Sequence, residues 1–128
     1  MEKHLKHILP VVIWAELMYI LSSIPYLHSG FACDFLLRKA AHVSVYLILT
    51  LLLYRAFRGL KMPLLMSGLG GFVYPAGVSS LYAMSDEIHQ LFVAGRVGSV
   101  RDVFIDTVGI FSVYIAVRFF PILKDSLI

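Results

Sequence analysis

The chain has 128 residues, 59% of them hydrophobic and only 15% charged, and its mean hydropathy is +0.84. A soluble domain carries roughly 25% charged and 45–50% apolar residues, so this composition excludes an ordinary water-exposed domain and leaves room for one small membrane domain. A formal net charge of +3 is too small and too scattered for nucleic-acid binding, and a single cysteine, Cys33, excludes an internal disulfide.

The first apolar segment, about residues 8–25, follows a basic start, MEKHLKH. Glu16 interrupts it and no small-x-small cleavage site follows, so the expectation is a retained anchor rather than a removed signal peptide. GFAC then places small residues before Cys33, as in a lipoprotein cleavage site. However, Gly30 stands where a Leu-like residue is required, so Cys33 reads as an ordinary apolar cysteine. Further apolar segments lie at about 40–58, 62–84 and 102–122. Each is close to the 17–25 residues that cross roughly 30 Å of hydrocarbon, and a lipid-exposed backbone must bond to itself. The expected fold class is therefore all-α: a polytopic membrane protein whose single domain, 1–128, is a bundle of four transmembrane helices. The third segment is rich in Gly, Ser and Ala around Pro75, a composition that favours close helix contact and a kink.

Lys and Arg set the orientation. With the N-terminus inside, the inner segments hold seven of these residues (Lys3, Lys6, Arg55, Arg58, Lys61, Arg118 and Lys124) and the outer segments hold four (Arg38, Lys39, Arg96 and Arg101). Both termini are expected in the cytoplasm, with the chain multi-pass in the cell membrane.

On that topology, two polar passages meet at the outer surface: RKAAHVSVY, residues 38–46, and SDEIHQLFVAGRVGSVRDVFID, residues 85–106. Residues three and four apart share a helix face. This groups Lys39 (or Arg38), His42 and Tyr46 on the second span, and Asp86, Glu87, His89 and Gln90 at the end of the third. It groups Ser99, Asp102 and Asp106 at the start of the fourth, with Gly109 below, and Glu16, Tyr19 and Ser23 on the first. An ionised carboxylate at mid-bilayer costs about 2.5–3.5 kcal/mol, so Glu16 is expected to face a partner or be protonated, and Asp106 to face inward.

Each group also has a structural reading. Arg38 and Lys39 serve equally well as interface anchors, and His42 as a helix-packing donor. Asp86, Glu87 and His89 fit a solvated helix end, and Arg96 and Arg101 can simply neutralise nearby acids. His42, His89, Asp86, Glu87 and Asp102 include enough nitrogen and oxygen donors for a metal, but no HExxH or other close-spaced pair specifies one. Metal and cofactor content stay open. No G-x-S-x-G elbow and no GxxxxGK[ST] phosphate loop is present. What remains is carboxylates and His suited to proton transfer, with Arg and Lys suited to an anion.

RKAAHVSVYLILTLLL, SDEIHQLFVAGRVGSVRDVFIDTVG and SSIPY together resemble the VanZ-like family of small bacterial membrane proteins, over most of the chain. The resemblance implies a polytopic membrane protein and a link to tolerance of teicoplanin, a lipid-bearing glycopeptide antibiotic. It places the family's polar motif on Lys39, His42, Tyr46, Asp86, Glu87, His89, Gln90, Arg96, Ser99, Asp102 and Asp106. Val45 stands where relatives often have Glu, and Val43 where an aromatic is common.

The expected function is an outer-facing polar site that binds or shields an envelope lipid or lipid-linked glycan head group. Lys39, Tyr46, Asp86, Gln90, Arg96, Ser99, Arg101, Asp106 and Glu16 are its ligand-binding candidates. The alternative is an intramembrane hydrolase or transferase using His42, Glu87, His89 and Asp102 in acid–base roles. A second alternative is an assembly protein whose polar residues lock the bundle. The expected partner is a membrane lipid or lipid-linked precursor; self-association of the chain is left open.

Overall fold

The computed structural model describes residues 2–27, 30–60 and 70–120. Lys61 and Lys124 of the orientation count, and positions 62–69 of the third apolar segment, lie outside these residues. The described chain forms four α-helices and no strand: α1 (Glu2–Ser23), α2 (Asp34–Gly59), α3 (Gly70–Gln90) and α4 (Val100–Phe119).

Two of them, over His4–Ser23 and Asp34–Gly59, are long and apolar enough to cross a membrane. The small and polar residues of α3 and the charges of α4 (Arg101, Asp102, Asp106, Arg118) hold those helices below that mark. The helices begin and end elsewhere than hydropathy placed them. α2 starts six residues before position 40, and α3 runs six past position 84, because polar side chains there find partners instead of ending the helix.

The most extensive contact is between α2 and α4. Gly109 makes it possible: a Cβ there would collide with the Val43 carbonyl oxygen, so the α4 backbone rests directly on α2. Below this crossing, Leu49, Leu53, Ile110 and Val113 fill the interior. Thr50 and Ser79, both fully buried, set their hydroxyls 2.8 Å apart between α2 and α3, while Thr50 also donates to the Tyr46 carbonyl. The Trp14 indole N–H donates to the Val45 carbonyl (3.1 Å) and Tyr82 OH to the Ala15 carbonyl (2.6 Å), which fastens α1 to α2 and α3.

The bundle is largely apolar outside and carries Asp86, Glu87, Asp102 and Asp106 inside, while Glu16 stays exposed. On α4, Phe104, Val108, Phe111, Ile115 and Phe119 form the exposed stripe, whereas Asp102 and Asp106 are buried. That reverses the pattern of a helix packed in water. Where the outer medium is as apolar as leucine, burial of apolar groups gives little drive, and close packing and interhelical hydrogen bonds hold helices together.

Candidate functional site

The polar stripes of α2, α3 and α4 collect at one end of the bundle, where α1 and α3 finish and α2 and α4 begin. The two loops at that end are tied together by a hydrogen bond from the Tyr26 N–H to the Ala94 carbonyl (3.2 Å). Gly95 packs against the Tyr26 ring with a positive φ of 75°, a position that only glycine fills without strain.

The centre of the site lies between α2, α3 and α4. Asp106 is fully buried, and His42 Nδ1 sits 2.9 Å from its Oδ1, so the carboxylate selects the tautomer with the proton on Nδ1. One turn above, Lys39 pairs with Asp102 Oδ1. Glu87, 5% exposed, enters from α3; its Oε2 accepts the Ser99 backbone N–H (2.7 Å) and its Oε1 is 3.9 Å from His42 Nδ1. Ser99 is also the N-cap of α4, its hydroxyl accepting from the Arg101 N–H (3.2 Å). Gly98 lets the loop reach Glu87, since a Cβ at this position would strike the Glu87 carbonyl. Burial raises the Glu87 carboxyl above its usual value, offset in part by the Ser99 N–H; Glu87 lies beyond the 62–84 segment. Ligand atoms of His42, Glu87 and Asp102 come within 4.8 Å of one another, so these three side chains can share a cation.

Two cavities open beside this centre and share Arg38, His42, Gln90 and Arg96 in their walls. The outer one, about 270 Å³, is bounded by Lys39, Ser99, Arg101 and Asp102. The inner one, about 160 Å³, is bounded mainly by Met18, Leu21, Leu27, Ala41 and Val45. Three polar groups border the inner cavity from its apolar wall: Ser22, Tyr46 and Asp86. The hydroxyls of Ser22 and Tyr46 are buried without a partner among the described residues, and Asp86 accepts from Gln90 (3.1 Å).

Three sequence candidates stand apart from the centre. Glu16 is exposed on the outer face of α1. The Glu16–Tyr19–Ser23 stripe faces away from the cavity, which receives Met18 and Ser22 instead; one residue along a helix turns the side chain by 100°, and packing of Trp14 and Tyr82 fixes that rotation. His89 turns toward α1, with Nε2 2.9 Å from Ser23 Oγ and its ring 4.7 Å from that of Tyr19. Ser23 Oγ–H already donates to the Tyr19 carbonyl (2.7 Å), so the His89 N–H is the donor between them. The Arg96 guanidinium donates to the carbonyls of Leu21 (2.6 Å) and Ile24 (3.2 Å), at and just past the end of α1, where helix carbonyls lack their full set of intrahelical donors. It borders both cavities but spends two donors on the backbone, and burial lowers its pKa from the usual value.

Arg101 is exposed at the rim, and its side chain has no bonded partner among the described residues. Arg38 pairs with Asp34 one turn earlier (3.0 Å). Ser22 and Gly98 were not among the sequence candidates: Ser22 opens the SSIPY stretch of the family resemblance and Gly98 lies within the 85–106 passage, but neither was singled out.

The family model described as VanZ/LLP1 matches residues 3–121, a stretch that includes every residue of this site. The chain belongs to the VanZ/LLP1 family. No curated protein and no solved structure matches it. VanZ/LLP1 membership and the two apolar helices together point to a membrane protein.

Proposed function

We propose that this VanZ/LLP1 protein binds an anionic envelope lipid or lipid-linked glycan precursor at the outer end of its bundle. The head group occupies the polar cavity and the first part of the chain occupies the apolar one. The observation that carries this reading is the joined pair of cavities with Arg38 and Arg96 in both walls: the outer one adds Lys39 and Arg101, whose side chain is unpaired among the described residues, and the inner one adds an apolar wall of Met18, Leu21, Leu27, Ala41 and Val45. That is the chemistry of an amphiphile laid along one path. A guanidinium supplies paired donors to phosphate or carboxylate, which an ammonium does not.

In this reading all four helices span the cytoplasmic membrane and both termini are cytoplasmic, as the Lys/Arg distribution and the apolar outer stripes support. A head group covered at the outer surface is shielded from a lipoglycopeptide, which gives a route to teicoplanin tolerance. The topology test is Val97→Cys in a Cys33→Ser background: Val97 is 79% exposed, and an impermeant thiol reagent should label it from outside intact cells. Labelling only after the membrane is opened defeats the outer site. The ligand test compares short-chain phosphatidylglycerol and the matching diacylglycerol for binding to protein in zwitterionic detergent. Arg101→Gln combined with Arg38→Gln should weaken the anionic lipid about tenfold and leave the neutral one unchanged; equal affinities defeat the reading.

A second reading, an acid–base hydrolase or transferase acting on the same lipid, is favoured by one observation. His42 stands between Asp106 and Glu87 at the junction of the two cavities, where it can carry a proton. Release of head group from a labelled lipid, lost in His42→Ala with binding retained, distinguishes it from binding alone.

A further inference from the structure

The carboxylates at the centre of the site outnumber the cations that face them. Glu87, Asp102 and Asp106 are 5%, 8% and 0% exposed. Among the described residues two basic groups pair with them: Lys39, on Asp102 Oδ1, and His42, on Asp106 Oδ1. Two carboxylate oxygens, Glu87 Oε1 and Asp106 Oδ2, are buried with no donor among the described residues. A buried charged oxygen without a donor is costly, and native proteins pair such groups or place a metal on them. A proton on Glu87 would remove its own charge but would still leave Asp106 Oδ2 without a donor among the described residues. The arrangement lacks a point of positive charge that several donors reach together.

We propose that His42, Glu87 and Asp102 form a divalent-cation site, with one imidazole nitrogen and two carboxylates as ligands. Their ligand atoms already converge within 4.8 Å, and metal–ligand bonds of about 2.0–2.2 Å require only small side-chain shifts from that spacing. A mixed nitrogen–oxygen set favours a first-row ion such as Zn²⁺ or Mn²⁺ over the all-oxygen preference of Ca²⁺. His42 and Asp102 border the outer cavity, which provides the ion's entry path and an open coordination position facing the head-group space. Asp106 acts as a positioning residue: held 2.9 Å from His42 Nδ1, its carboxylate orients the imidazole, as carboxylates behind metal-binding histidines do. Lys39 holds the Asp102 carboxylate in place when no ion is bound. The site goes beyond the lipid reading and does not depend on it.

The test uses the full chain purified in detergent, stripped with chelator, desalted and titrated with Mn²⁺ and Zn²⁺. Wild type should retain one ion per chain. Bound Mn²⁺ should show electron spin-echo modulation from one directly coordinated imidazole nitrogen, and that modulation should change on ¹⁵N-histidine labelling. His89→Ala, which lies outside the cluster, should bind as wild type. His42→Ala should lose the nitrogen modulation, and Glu87→Gln and Asp102→Asn should each weaken the ion by about tenfold or more. No retained ion on folded wild type, an ion without nitrogen modulation, or equal affinity in Glu87→Gln overturns the proposal. The modulation is read on wild type, so a variant that fails to fold does not remove the test. Because ion retention is measured without lipid, its failure is distinct from failure of lipid binding.

Discussion

His42 and His89 occupy the same end of the bundle on adjacent helices, and by residue type and position both are acid–base candidates. Their surroundings differ completely. His42 is ringed by the buried acids Asp106, Glu87 and Asp102, the last paired with the partly buried Lys39, and its own links are to side chains. His89 stacks on Tyr19 and donates to Ser23, whose hydroxyl is already committed to its own helix backbone. The first arrangement leaves carboxylate oxygens wanting a partner beside a cavity; the second is closed on itself. Polar residues near a membrane surface are therefore distinguished by what remains unsatisfied around them, not by residue type. A buried network with open acceptors is the costly one to maintain.

The largest expected effect comes from breaking the His42 side of this contrast. Asp106→Ala removes the fully buried partner of His42 and leaves the ring N–H without an acceptor. Loss of one member of such a pair should cost about 3–5 kcal/mol, read as a lowered unfolding midpoint in detergent. If Asp106→Ala unfolds at the wild-type midpoint, the central cluster is no tighter than the His89 station and the contrast fails.

A smaller effect should follow from Gly98→Ala. Its methyl group would meet the Glu87 carbonyl and push the Ser99 N–H off Glu87 Oε2. Loss of a hydrogen bond to a charged carboxylate should cost about 1.5–3 kcal/mol, with all side chains of the cluster intact. Hydrogen exchange of the Ser99 amide, slow in wild type, should become fast; an unchanged rate would detach the loop from the cluster.

The smallest effect is expected at His89. His89→Ala loses one hydrogen bond and a ring contact at a half-exposed position, a cost of about 0.5–1.5 kcal/mol, with lipid binding retained. A loss as large as that of Asp106→Ala, or abolished lipid binding, would move His89 into the functional cluster and sharpen the comparison in the opposite direction.

Much was legible in the sequence, and for a definite reason. Composition and the long apolar runs require helices, because a backbone with few outside partners must bond to itself. The motif from Ser85 to Asp106, with Lys39, His42 and Tyr46, named the family and brought the chemistry to one end of the bundle, since helix order and length fix which ends meet. Helical spacing also grouped Lys39 with His42 and Asp102 with Asp106 correctly, because those residues share a turn of one helix.

What the sequence left undetermined is the rotation of each helix about its own axis. A turn of 100° in α1 exchanges Glu16 and Ser23 for Met18 and Ser22 at the cavity, and no local pattern chooses between them. That choice belongs to packing: Trp14 on the Val45 carbonyl and Tyr82 on the Ala15 carbonyl for α1, and Gly109 on the Val43 carbonyl for α4. In the same packing His89 meets Ser23 rather than His42, and Arg96 reaches the Leu21 and Ile24 carbonyls at the end of α1. Sequence determined which groups reach the outer end; tertiary packing, which alone sums contacts from four helices, decided which of them meet.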